Sequence, residues 1–204
     1  FFLFLFELSS RVAMLAFVLV ITVSVLQNRS RKKGILIGLF IVGLILLSVK
    51  FDYLGNKFSG LVDGMGNVKV ERIQRWDFII REFKKEDKLI LGVGSGDTEE
   101  IYTRAYINGN FKTALIEGYN AHNQFVEFLV SNGFFGLLVF VWVLLFFALK
   151  TKLRGEALSF FITIVLLSFI ESFLCRAKGV FIFSFFISFF LLMYSDKLIK
   201  NEQP

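Results

Sequence analysis

Cysteine, histidine and proline are almost missing from this chain of 204 residues, each occurring once, as Cys175, His122 and Pro204. A lone cysteine excludes an internal disulfide and a thiolate metal site. A lone histidine excludes a His-based zinc cluster. With Pro204 at the very end, no helix is kinked by the proline route. Internal repeats and low-complexity linkers are lacking as well. Charge is scarce too: charged residues make up 20% of the chain, and the run Phe134 to Leu149 contains none.

What fills the space is apolar. Hydrophobic residues reach 55%, Phe alone occurs 28 times, and the mean hydropathy is +0.67. A soluble domain of this length could not hide that much apolar surface, whereas an all-round apolar helix is stable in lipid. The fold class expected is therefore an all-α integral membrane protein with multiple transmembrane helices. Apolar stretches run over Phe1–Leu8, Val12–Leu26, Ile35–Val49, Phe134–Leu149, Ala157–Leu174 and Val180–Tyr194. The chain opens on Phe1, with no initiator Met and no cleavable signal pattern. It reads as a single membrane domain over 1–204, truncated at its N-terminus inside or just after a span.

The net charge of +6 does not point to nucleic acid, because the basic excess sits in short loops between apolar runs. Arg29, Arg31, Lys32 and Lys33, then Lys150, Lys152 and Arg154, then Lys197 and Lys200, fall on one side when crossings are counted. The positive-inside rule makes that side cytoplasmic. A large loop over 50–133 then lies on the outer face, with Ser9–Arg11 and the turn Glu171–Gly179. Arg176 and Lys178 in that turn run against the rule. The large loop has nearly balanced charge and scattered aromatics, the composition of a small folded cap.

Within the loop, Glu71–Asp87 reads as an amphipathic helix with Ile73, Trp76, Ile80 and Phe83 on one face. Arg72 lies at the edge of that face; it reads as a snorkelling arginine or as a partly desolvated anion ligand. Arg75 and Arg81 read first as flanking charges. The run Leu91-Gly92-Val93-Gly94-Ser95-Gly96 meets no nucleotide fingerprint and reads first as a tight turn. Asn108-Gly109 signals another turn. Asn120 is a candidate N-cap, which puts His122 in the first turn of a helix, on one face with Phe125, Val126, Leu129 and Gly133. There the helix dipole disfavours imidazolium, so the ring is expected neutral and able to take a proton. Arg11, after Ser9-Ser10, opens a span from the same outer side. Two cations suit a pyrophosphate, and a neutral imidazole suits deprotonation of a hydroxyl.

Four elements occur in order: Ser10-Arg11; Arg72-Ile73-Gln74-Arg75-Trp76; Gly92-Val93-Gly94; and His122-Asn123 followed, after ten residues, by Gly133, with Gly136 beyond. Together they resemble the O-antigen ligase and polymerase family of bacterial membrane glycosyltransferases. The resemblance implies a many-helix membrane fold in the bacterial inner membrane, with a helical cap on the periplasmic or extracellular side. It implies transfer of a glycan from undecaprenyl pyrophosphate to the hydroxyl of a glycan or lipid A-core acceptor, among membrane lipids and without metal or nucleotide sugar. By matching position, Arg11 and Arg72, with Arg75, would bind the pyrophosphate, and His122 would be the general base or would orient the acceptor. Asn123, Gly92, Gly94 and Glu171 would support the site; Glu171 could instead pair with Arg176. Trp76 stands where ligases often have Leu, which leaves ligase and polymerase both open.

Other readings compete. A protein oligosaccharyltransferase of the same superfamily differs only in its acceptor. A transporter would place ionisable groups near the bilayer midplane, and the span interiors lack them. A non-catalytic scaffold predicts no convergence of Arg11, Arg72 and His122.

Overall fold

The computed structural model describes residues 71–201, with side chains to residue 194. The apolar stretches before residue 50, and Arg11 with them, lie outside the described residues. The chain divides into two compact units, Phe1–Gln74 and Arg75–Pro204. The described residues belong to the second unit, except for 71–74 at the start of the first described helix. Every regular element among the described residues is helical.

Helix α1 (Glu71–Phe83) begins on a carboxylate, favourable at the positive end of the helix dipole. It carries the i,i+4 pair Asp77–Arg81 at 2.6 Å, which at this exposure adds a few tenths of a kcal/mol. The helix ends at Phe83 rather than Asp87, because the backbone N–H groups of Lys85 and Glu86 turn back to Glu82 and Phe83. Its buried face is Arg75, Ile79, Glu82 and Phe83. That corrects the expected stripe: Ile73 is exposed, Trp76 and Ile80 are half-buried, and only Phe83 is common to both. The charged members of the buried face are held by neighbours. Arg75 lies over the Tyr119 ring, and Glu82 accepts hydrogen bonds from Lys85 and from Asn108 at 2.9 Å.

Helix α2 (Thr98–Asn108) and the short α3 (Lys112–Ile116) follow. The turn expected at Asn108-Gly109 is present, with Asn110 taking the left-handed conformation at φ 56°. Ile79 and Phe83 of α1 pack with Ile101, Tyr102, Ala105 and Tyr106 of α2 and with Phe111, Ala121, Val126 and Val130 in one core.

Helix α4 (Gln124–Thr151) is 28 residues long and is interrupted at Gly133, whose φ of 67° and ψ of −167° are not helical. Such a break orphans backbone groups, which must find partners elsewhere. The segment 89–94 supplies them. Val93 and Gly94 donate to the carbonyls of Val130 and Ser131, both at 2.9 Å; Phe134 and Phe135 donate to Leu89 and Ile90 at 2.9 and 3.1 Å. The two backbones approach so closely that a Cβ at Gly92 would lie 2.4 Å from the Ser131 carbonyl oxygen, and one at Gly133 would lie 2.3 Å from that of Ile90. The glycine run is thus a turn, as its composition suggests, and also the plug of a broken helix.

After α4 the chain reverses through Lys152, Leu153 and Gly155, all at positive φ, into α5 (Glu156–Ile170), a 3-10 turn (Phe173–Cys175) and α6 (Ala177–Asn201). The apolar stretch expected over 157–174 is therefore split at Glu171. The other two are contained in longer helices, and α4 begins ten residues before Phe134. Residues Gln124–Thr151 and Ala177–Tyr194 are long and apolar enough to cross a membrane; α5, with 15 residues, is shorter. Phe147, Ala157 and Phe190 close one contact among the three helices, and Phe140, Leu144 and Ile164 another.

Candidate functional site

The residues Tyr119 to His122 form a short strap between α3 and α4, and it is tied down on both sides. Trp76 Nε1 of α1 donates to the Ala121 carbonyl at 2.8 Å, and Tyr106 Oη of α2 donates to that of Asn120 at 3.1 Å. Each such bond contributes roughly 1 kcal/mol. They hold His122 in a conformation with φ 47°, which costs a non-glycine residue about 1–3 kcal/mol. The Asn120 side chain accepts from the His122 backbone N–H at 3.0 Å, bending the strap inward.

The N-cap of α4 is Asn123, not Asn120: its Oδ1 accepts from Phe125 N at 2.9 Å and Val126 N at 3.1 Å. His122 therefore precedes the helix and does not share a helical face with Phe125 and Leu129. The reason is local. An Asx turn at Asn120 takes up the His122 N–H, which leaves the next asparagine to cap.

Three consecutive residues then meet the junction after α5. His122 Nδ1 lies 3.0 Å from Glu171 Oε2, Asn123 N donates to Ser172 Oγ at 3.2 Å, and Leu174 N donates to Gln124 Oε1 at 2.7 Å. With Glu171 ionised, Nδ1 carries the imidazole proton and donates it, so the lone pair sits on Nε2. On the other side of the ring, Tyr119 packs edge-to-face with its centroid 5.3 Å away. Tyr119 in turn lies under the Arg75 guanidinium, 5.4 Å from Cζ to the ring centroid. Arg75 is 8% exposed, and its Nε has no hydrogen-bond partner among the described residues.

The structure thus brings Arg75, Tyr119, His122, Asn123 and Glu171 into one contact chain. Arg72 lies in the first turn of α1, in the other compact unit. Gly92 and Gly94 lie against the second turn of α4 before the break rather than against His122. Tyr119, Trp76 and Ser172 are site residues that no sequence motif marks for this role. For Trp76 a signal exists, since an indole N–H on a half-buried face needs an acceptor. For Ser172 there is none.

Beside the strap, α2, α3 and the start of α4 enclose a cavity of about 500 Å³ whose walls include Tyr102, Tyr106, Tyr119, Asn120, Glu127 and Asn132. Burial, then the nearby Glu127 carboxylate, pushes the Tyr102 hydroxyl far above its ordinary range. Burial likewise raises Tyr106. The Cys175 thiol, at the cavity's edge, is raised by desolvation first and by Glu127 second. No three His, Cys, Asp or Glu side chains group as metal ligands among the described residues.

Compared with known protein families, residues 1–141 match the model of the O-antigen ligase family. The match covers most of the chain.

The chain belongs to the O-antigen ligase family.

Its activity is therefore O-antigen ligase-type glycan transfer, with glycan and lipid-linked substrates, in a membrane-associated protein with apolar helices. No curated protein and no solved structure matches it. In this O-antigen ligase family member the matched span includes α1, the strap, His122 and the helix break at Gly133.

Proposed function

We propose that this chain transfers or polymerises glycan from an undecaprenyl-pyrophosphate carrier onto a sugar hydroxyl at the outer face of the cytoplasmic membrane. The observation that carries the proposal is the His122–Glu171 pair at 3.0 Å. A carboxylate on Nδ1 fixes the tautomer and stabilises the imidazolium that forms, making Nε2 a competent general base. The acceptor oxygen bonds to the anomeric carbon as the bond from that carbon to the pyrophosphate oxygen breaks. The pyrophosphate leaves with the electron pair, and the acceptor proton passes to His122 Nε2.

The leaving group needs its charge neutralised. Arg75, buried against Tyr119 with no carboxylate in salt-bridge reach among the described residues, suits that task. Arg11 and Arg72 are proposed for the same pyrophosphate on the sequence motifs, in a mechanism that uses arginines in place of a metal. The helices α1 to α3 act as an extracytoplasmic cap on a multi-pass membrane domain, closing over the headgroup and holding His122 toward the acceptor. Asn123 and Glu171 fix that histidine from below.

Replacing His122 by Ala and Arg72 by Ala, each at normal protein level, tests the reading through surface polysaccharide on gels. Loss of a general base lowers the rate about 10²–10⁴-fold, so the laddering is expected to vanish in His122→Ala. Normal ladders in both variants would remove the transferase reading.

A further inference from the structure

The cavity beside the strap has no part in the proton transfer at His122, and it contains two polar side chains in an uncommon state. Glu127 is 6% exposed and Tyr102 is 5% exposed. Glu127 Oε2 and Tyr102 Oη both lack a hydrogen-bond partner of ordinary geometry among the described residues. The carboxylate interacts with Tyr102 closely enough to raise its hydroxyl, short of a well-formed hydrogen bond to either atom. Buried polar atoms left this way cost about 1–3 kcal/mol each unless a ligand or water meets them.

The chemistry of the walls narrows the ligand. Among the residues lining the cavity are two carboxylates, Glu99 and Glu127, and no lysine, arginine or histidine. That excludes a phosphate or pyrophosphate, which would be repelled. The other polar groups, among them the Tyr102 hydroxyl and the amides of Asn120 and Asn132, mix donors and acceptors. Tyr102, Tyr106 and Tyr119 present aromatic rings beside them. Closely spaced neutral donors and acceptors beside apolar ring faces match a polyol whose carbon-bound hydrogens are apolar and whose hydroxyls both donate and accept. The volume of about 500 Å³ lies within the range of small-ligand pockets, roughly 300–1,000 Å³.

The cavity also has the right neighbour. Tyr119 and Asn120 form part of its wall, and the same two residues pack against the His122 ring and bind its backbone N–H. We infer that this cavity is the subsite for the acceptor sugar, with Glu127 accepting from its hydroxyls and Tyr102 bonding to another. This assignment rests on the proposed transferase activity for the word acceptor, though not for the binding of a saccharide. Glu127 and Tyr102 are positioning and specificity residues. They act on where the sugar sits, while His122 acts on its proton.

The test uses the full-length protein in detergent and saturation-transfer NMR, with the methyl glycosides of glucose, galactose and N-acetylglucosamine as probes. Wild-type protein is expected to transfer saturation to the ring protons of at least one glycoside. Glu127→Gln keeps the shape and removes the charge, and Tyr102→Phe removes a single oxygen. Each is expected to weaken binding about tenfold, the effect of one lost hydrogen bond to a charged or buried group. Their thermal midpoints, compared with wild type, separate this loss from misfolding. His122→Ala is expected to keep the glycoside signal while losing polysaccharide ladders. No signal from any glycoside with wild-type protein, or wild-type signals from both cavity variants, would overturn the subsite while leaving the His122 mechanism standing. Glycoside binding together with normal ladders in both His122→Ala and Arg72→Ala would instead overturn the acceptor role and the transferase reading with it.

Discussion

Between α1 and the strap the large side chains turn inward: Ile79 is 0% exposed, Phe83 1% and Ile101 2%. From Phe134 onward many turn outward, Leu149 at 76% and Phe181 at 71%. The first region has a water-facing protein's pattern, with ion pairs such as Arg104 to Glu86 and Glu100 on its surface. The second has the pattern of helices surrounded by lipid, where an apolar exterior costs nothing. The first region has exceptions too: Ile73, Ile107, Leu115 and Ile116 are exposed, and so are Leu89, Ile90 and Leu91, which sit where segment 89–94 fills the break in α4. The two patterns meet at that junction, and the close backbone approaches at Gly92 and Gly133 are there. The His122–Glu171 pair is a second tie between the regions, made by side chains.

Breaking the junction is expected to have the largest effect. Gly133→Ala would drive a methyl group to 2.3 Å from the Ile90 carbonyl oxygen in a backbone conformation alanine rarely adopts. A loss of about 3 kcal/mol or more is expected, read as failure to accumulate in membranes or a collapsed thermal midpoint. Gly96→Ala, with open space around it, should match wild type. Equal stability of the two variants would show that the regions are not locked at the break.

Cutting the second tie is expected to spare the fold and slow the chemistry. Glu171→Gln keeps the size of the side chain but no longer fixes the Nδ1–H tautomer or stabilises imidazolium, so transfer should fall on the order of 10²-fold. Polysaccharide formation in cells, at matched protein level, reads this. Wild-type output from Glu171→Gln would reduce the pair to a structural contact between the strap and the end of α5.

The smallest effect concerns Cys175, where the cavity reaches the helical region. The residue is exposed, but desolvation of its thiol and the Glu127 carboxylate raise the thiol's pKa, so less thiolate is present at pH 7.5 and maleimide labelling should run at least about tenfold below a free thiol. Labelling should accelerate as pH rises. Glu127→Gln removes a negative charge, lowers the thiol's pKa part of the way and should speed labelling. As the chain's only cysteine, it gives an unambiguous signal. Free-thiol rates in the wild type would mean that the cavity does not extend to this edge.

Much of this organisation is legible in the sequence. Apolar runs without charge identify α4 and α6, because period-independent hydrophobicity has few structural solutions outside lipid. The glycine turn and the His122-Asn123 element are visible as well, and so is Glu171 as a residue near the site. The buried face of α1 is not: Trp76 and Ile80 suggest one stripe, while Arg75 and Glu82 find partners that make another burial possible. Tyr102 and Glu127 carry no signal either. A carboxylate five residues after His122 and a tyrosine in a mixed segment have no spacing that marks them.

The sequence by itself determined which segments are apolar throughout, where glycine must stand and which side chains could carry a proton or an anion. Those properties belong to single residues and short runs, and composition fixes them. The tertiary structure decided which of those side chains meet. The Glu171 carboxylate reaches His122 from 49 residues away, and Arg75 of α1 reaches Tyr119 in the strap. Segment 89–94 repairs a helix it does not belong to. Contacts at such separation depend on how helices pack, and packing is set by the whole set of buried faces rather than by any one of them.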